Sequence, residues 1–151
     1  MIGIGEHCIG KSSMTSIGLG SCVALILYDE TKKSGAMAHV MLPDSGGKTD
    51  RPGKYADTAM KLLVSSIAPD TSARRGIWAK LVGGASMFEY FGKNLNIGER
   101  NTEILKALLA EQRIRIIAED TGGKVGRTVI FYPGDKGKVL VKRADGSCQE
   151  I

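Results

Sequence analysis

Short runs rich in Val, Ile and Leu return along the whole chain, each closed by Gly, Pro or Asp, and this punctuation most limits the fold. They cover Met1–Gly5, Val23–Asp29, Gly35–Leu42, Ile77–Val82, Arg113–Glu119, Arg127–Tyr132 and Val139–Arg143. Runs of this length and composition are strand signals. Two segments carry a different period. In Tyr55–Ile67 the apolar residues Tyr55, Ala56, Ala59, Met60, Leu63 and Ile67 recur every three or four positions, which predicts a helix. Ile97, Ile104, Leu105, Leu108 and Leu109 do the same over Ile97–Ala110, with Asn96 and Glu99 placed as a capping box. Seven strands and two main helices predict an α+β or layered sandwich. The length, 151 residues, suits one domain over 1–151, able to bury ~70% of its unfolded surface.

Composition narrows the function classes. Apolar residues make up 42% and charged residues 25%, which excludes wholesale disorder. No apolar run approaches the ~20 residues of a membrane span, so no membrane insertion is expected. The start, MIGIGEHCIGK, lacks the cationic lead and small-residue cleavage site of a secretory signal. Three cysteines at 8, 22 and 148 show no CxxC spacing, so reduced thiols in a cytoplasmic protein are expected and a zinc site is not. The net charge of +5 is spread over bare pairs such as Lys32-Lys33, Arg74-Arg75 and Lys142-Arg143. With aromatic residues at only 5%, base-stacking platforms are scarce. The charge suits an acidic protein partner better than nucleic acid.

Two glycine-rich stretches imitate nucleotide motifs. LPDSGGKT at 42–49 ends like a P-loop but has Leu42 in place of the first glycine, and it leads into Pro52. GLGSCVA at 18–24 is followed by a strand-like run, where a dinucleotide fingerprint needs a helix N-terminus. Both are set aside as turn glycines. Asp44–Lys54 is the longest turn-rich stretch and reads as a loop over a site.

An arbitrary free cysteine is most often a small buried apolar residue. Cys22 has a more specific context: it follows Gly18-Leu19-Gly20-Ser21 and opens a strand, whereas Cys8 and Cys148 lie near the chain ends. His39 sits in the next strand, after the short polar connection Glu30–Ser34, so the two strands form an antiparallel hairpin. If the numbers of facing residues add to 61, Cys22 and His39 stand opposite, with Cβ atoms ~4.5–5.5 Å apart. A total of 63 makes them diagonal neighbours on one face, and 62 puts them on opposite faces. Paired, the imidazolium and oriented amides lower the thiol pKa and supply a thiolate, which attacks a carbonyl carbon while histidine protonates the leaving group. Backbone amides around Gly20 and Ser21 are the expected oxyanion donors. For the group that fixes the imidazole tautomer, Asp44, Ser16 and Thr15 all lie within reach in sequence.

The segments GLGSC at 18–22, AMAHVMLPDS at 36–45, GGKTDRPGKYADTA at 46–59, GGASMF at 83–88, NIGERN at 96–101 and AEDTGG at 118–123 together resemble the CheD family. These are the chemoreceptor glutamine deamidases of chemotaxis signalling. The resemblance implies a three-layer α/β/β sandwich with mixed sheets, similar to that of bacterial toxin deamidases, and a Cys-His-Thr catalytic set. Its cysteine falls on Cys22 and its histidine on His39. Its threonine falls on Ser16, a departure that keeps the hydroxyl but loses the methyl that restricts the rotamer.

The implied reaction hydrolyses glutamine side-chain amides of methyl-accepting chemoreceptors through a thioester, with no metal or organic cofactor. The resemblance also implies a CheC-type response-regulator phosphatase as a partner. The alternative it leaves is a binding module that regulates this phosphatase with little catalysis of its own. Within GGASMFEYFG, Phe88 is the expected contact for receptor or phosphatase.

Overall fold

The computed structural model describes residues 1–86 and 96–151. Nine strands are seen among them: β1 (His7–Gly10), β2 (Met14–Leu19), β3 (Val23–Asp29), β4 (Ser34–Val40), β5 (Ile77–Gly83), β6 (Arg115–Thr121), β7 (Arg127–Tyr132), β8 (Lys138–Arg143) and β9 (Cys148–Glu150). Two α-helices, α1 (Ala56–Ile67) and α2 (Ile97–Glu111), complete the main elements. One sheet has the order β1-β4-β3-β5-β6 and the other β2-β7-β8-β9. β5 and β6 run parallel, and the remaining pairs are antiparallel. A parallel pair needs a crossover, and α2, between β5 and β6 in sequence, supplies it.

The layering follows from alternation along the central strands. On β3, Val23, Leu25 and Leu27 join Ala59, Met60, Leu63, Leu105 and Leu109 in the core under the helices. Ala24, Ile26 and Tyr28 face the other way, into a second core with Met14, Leu19, Val129, Phe131 and Val141 of the second sheet. β3 is therefore buried on both faces, which explains why it reads as a continuous apolar run rather than an alternating one. Each fully buried Leu or Ile in these cores contributes ~1.5–3 kcal/mol relative to an exposed position. Helices, five-stranded sheet and four-stranded sheet form the expected α+β sandwich in three layers.

The N-terminal run is the main departure. Met1–Gly5 is not a strand; it is irregular chain with Ile2 buried, and the strands are β1 and β2, neither of which was expected. β1 reads HCIG and is mostly exposed, and β2 reads MTSIGL with a bulge, so neither shows the aliphatic density of the inner strands. The short β9, all exposed, carries no hydrophobic signal either. The first helix starts one residue after the predicted Tyr55, and the second starts at its predicted cap. Tyr55 precedes α1 as its N-cap residue, and Asn96 Oδ1 accepts the Glu99 N–H at 3.3 Å at the start of α2. Neither nucleotide-like stretch becomes a phosphate cradle, because GLGSC runs into β3 and Gly46 and Gly47 form a turn with positive φ.

Candidate active site

Ser16 reaches the site through an irregularity in β2. Ser16 faces Val129 and Leu19 faces Arg127, so one extra residue is accommodated between them. Gly18 takes φ +74 in this stretch, a conformation that costs glycine little. The bulge lets both Ser16 and Leu19 point inward, each with no exposed surface, while Ile17 turns outward. Thr15 points to the opposite face of the strand.

β3 and β4 pair with Val23 facing Val40 and Ala24 facing His39, so the numbers of each facing pair add to 63. That is the diagonal case. Cys22 lies one residue ahead of β3, on the side of the sheet shared with Ala24 and His39, and belongs to the core between the sheets. Diagonal neighbours of this kind have Cβ atoms ~7–8 Å apart or somewhat less.

Here the second sheet meets the first: Ser16 Oγ lies 2.7 Å from His39 Nδ1 and 2.8 Å from the Ile2 carbonyl oxygen. The carbonyl can only accept. The assignment that uses both contacts has the Ser16 hydroxyl donating to Ile2 O and the His39 Nδ1–H donating to Ser16 Oγ. The lone pair is then on Nε2, which is buried and has no hydrogen-bond partner among the described residues.

Burial shifts both groups toward their neutral forms. Burial holds the His39 pKa below its ordinary value, against smaller opposing effects of the Ile2 carbonyl and Glu6. Burial alone pushes the Cys22 thiol above its ordinary value. Both directions run against the thiolate–imidazolium pairing expected from the sequence. Desolvation penalises both charged forms, leaving a neutral thiol and a neutral imidazole whose Nε2 can act as general base.

The approach to Cys22 is built by the glycine-rich motifs. Gly84 N–H donates to Cys22 O and Ala85 N–H to Gly20 O, both at 2.8 Å. Gly83 has φ +119, and a Cβ there would strike Cys22 O; only glycine lets this turn pass so close. Gly122 N–H in turn donates to Gly83 O at 2.9 Å. GLGSC, GGAS and DTGG thus form one knot at this end of the sheet.

Gly20 and Ser21 differ as oxyanion donors. The Gly20 N–H is committed to Gly18 O at 3.1 Å, whereas the Ser21 and Cys22 amides have no acceptor among the described residues. Asp44 is elsewhere, accepting the Gly46 N–H at 2.9 Å. Its loop is tied to the N-terminal segment by Arg51, which donates to Ile4 O at 2.8 Å. Phe88 lies outside the described residues. Two participants carried no readable role in the sequence: Ile2, which acts through its main chain, and Asn101, a polar residue inside a helix whose only signal is its place in NIGERN.

The chain is similar to known proteins of one family. The profile of the family described as "CheD chemotactic sensory transduction" matches residues 41–143, more than half of the chain. The chain is 50% identical over 151 residues to "Chemoreceptor glutamine deamidase CheD" of Thermotoga maritima, covering 99% of this chain and 94% of that protein. It is 44% identical to "Probable chemoreceptor glutamine deamidase CheD" of Archaeoglobus fulgidus, covering 97% and 94%. To "Chemoreceptor glutamine deamidase CheD" of Halalkalibacterium halodurans it is 46% identical, covering 82% and 80%. The chain belongs to the CheD family.

Proposed function

We propose that this chain performs the reaction its relatives are named for, hydrolysing glutamine side-chain amides of chemoreceptors to glutamate, with Cys22, His39 and Ser16 as its working set. The observation that carries this reading is the Ser16–His39 contact of 2.7 Å, which leaves Nε2, without a partner among the described residues, on the sheet face that Cys22 shares. His39 Nε2 takes the Cys22 thiol proton as sulfur attacks the γ-carboxamide carbon, forming the C–S bond and an oxyanion. Collapse breaks the C–N bond, and the proton on Nε2 goes to the leaving nitrogen, which departs as ammonia. Water then adds to the thioester with Nε2 as base, releasing glutamate and regenerating the thiol. The amides of Ser21 and Cys22, which have no acceptor among the described residues, are the oxyanion donors in this scheme, and Gly20 acts through the turn it makes rather than through its N–H.

The net charge of +5 favours an acidic protein surface as substrate platform. We place the CheC-type phosphatase as a second partner and Phe88 as a contact for one of the two. Three free cysteines suit a reducing, cytoplasmic setting; among the described residues no helix is long and apolar enough to cross a membrane.

Intact mass spectrometry of chemoreceptor cytoplasmic fragments tests the reading. Each deamidated glutamine gains about one dalton with release of ammonia, and Cys22→Ala abolishes the gain. Absence of any gain with folded protein would leave phosphatase binding as the function to pursue.

A further inference from the structure

Asn101 projects from α2 into the gap where the β3–β4 ladder ends. It has no exposed surface. Its Nδ2 donates to two main-chain carbonyls, Ser21 O at 3.1 Å and Met41 O at 2.9 Å. The first belongs to the residue before the proposed nucleophile, the second to the residue two positions after the proposed base. Beyond the last pair, Val23 and Val40, Cys22 O accepts from Gly84 and the Met41 N–H donates to Lys54 O. Both amide protons of Asn101 are spent, while its Oδ1 is buried with no partner among the described residues. A buried amide that leaves its oxygen unsatisfied is uncommon. Turning it over would set oxygen against two carbonyls, so the position is occupied for its donors.

The consequence lies one peptide away. Ser21 C=O and Cys22 N–H belong to the same planar trans unit, no cis bond occurring among the described residues, and in such a unit the two groups point in opposite directions. Holding Ser21 O on Asn101 therefore turns the Cys22 N–H away from the helix, where it has no acceptor among the described residues. An amide on the nucleophilic residue itself lies within reach of the oxyanion formed on its own sulfur adduct. We propose that Asn101 is a positioning residue that orients the Ser21–Cys22 peptide so that the Cys22 N–H stabilises the tetrahedral intermediate. This rests on Cys22 being the nucleophile of a deamidase.

The experiment compares wild type, Asn101→Ala and Asn101→Asp by ammonia release from chemoreceptor fragments and, in parallel, by the rate of Cys22 alkylation with iodoacetamide. Alkylation needs an accessible thiol but no oxyanion donor. The expected result is a fall in kcat of about 10²–10³-fold, KM within about threefold, and alkylation within about threefold of wild type. A folded variant with near-wild-type kcat overturns the proposal, and so does alkylation that falls in step with kcat, the mark of a merely structural role. If both variants fail to fold, Asn101→Gln, which keeps the amide but displaces its donors by one methylene, is read by the same criteria. Should wild type release no ammonia from any fragment, the deamidase reading fails on its own. The Ser21 ¹³C′ and Cys22 ¹⁵N shifts then decide the peptide orientation: a coupled change in the variants is expected, and unchanged shifts overturn it.

Discussion

Ser16 and His39 come from different sheets and meet at 2.7 Å, with the serine proton given to Ile2 O at 2.8 Å. One hydroxyl thus fixes the imidazole tautomer by being occupied on its other side. Ser16→Ala removes the acceptor for Nδ1–H and frees the ring to turn. The expected effect is a loss of about 10²-fold in kcat, with little change in KM, measured by ammonia release. Ser16→Thr keeps the hydroxyl and is expected to retain most activity, while the added buried methyl lowers stability by about 1–3 kcal/mol, read by thermal unfolding.

The pH dependence follows from burial. His39 must be neutral to act as base, and its pKa is held below the ordinary imidazole value. The acid limb of the kcat/KM profile is therefore expected below pH ~6.5. Stability has the same sign. The unfolded chain takes up a proton at His39 before the native chain does, so this contribution is present above ~6.5 and is lost as pH falls below it. A free-enzyme acid limb lying above 6.5 would contradict the assignment of His39 as the base.

Cys22 moves in the other direction. Its thiol is raised above the ordinary cysteine value, so iodoacetamide alkylation of the resting enzyme is expected to rise with pH later than that of a free cysteine peptide. Exposed Cys8 and Cys148 serve as internal references in the same digest. Alkylation of Cys22 ahead of both at neutral pH would mean a preformed thiolate.

Asp120 binds the two sheets at the end that carries the site. It accepts from Arg127 Nη2 at 3.2 Å and from Arg143 Nη2 at 2.8 Å, and Arg127 Nη1 also donates to Gly83 O at 3.4 Å. Burial raises the Asp120 pKa, but the hydrogen bonds and charges of Arg143 and Arg127 outweigh it and hold the carboxyl below its ordinary value. Asp120→Ala strands the buried Arg127 charge, and a loss of about 3–5 kcal/mol is expected in denaturant unfolding. This part of the stability is present above pH ~3.9 and is lost as the carboxylate protonates below it.

Gly83 couples backbone conformation to the nucleophile. Its φ of +119 is unfavourable for any other residue, and an added Cβ meets Cys22 O. Gly83→Ala is expected to cost about 2–4 kcal/mol and to lower kcat by displacing Cys22. Unfolding and ammonia release on the same preparation separate the two effects.

Most of the local structure, and the shared sheet face of Cys22 and His39, was legible along the chain. The predicted strand runs became β3, β4, β5, β6, β7 and β8, and the three-and-four spacing became α1 and α2, because buried elements advertise themselves by apolar period. The hairpin between Cys22 and His39 was likewise local, and its short connection limited the register to a few cases, of which the diagonal one is observed. β1, β2 and β9 were not legible, since they lie at sheet edges and two of them bury little, which weakens the pattern that marks a strand. What the tertiary structure decided was everything that joins distant segments. Ser16 rather than Thr15 or Asp44 faces His39 because a bulge in β2 and the packing of two sheets set which side chain points inward. Asn101 reaches Ser21 and Met41 only because α2 is docked across the ends of two strands. Such contacts leave no periodic trace in the sequence, because their partners are main-chain carbonyls that every residue carries.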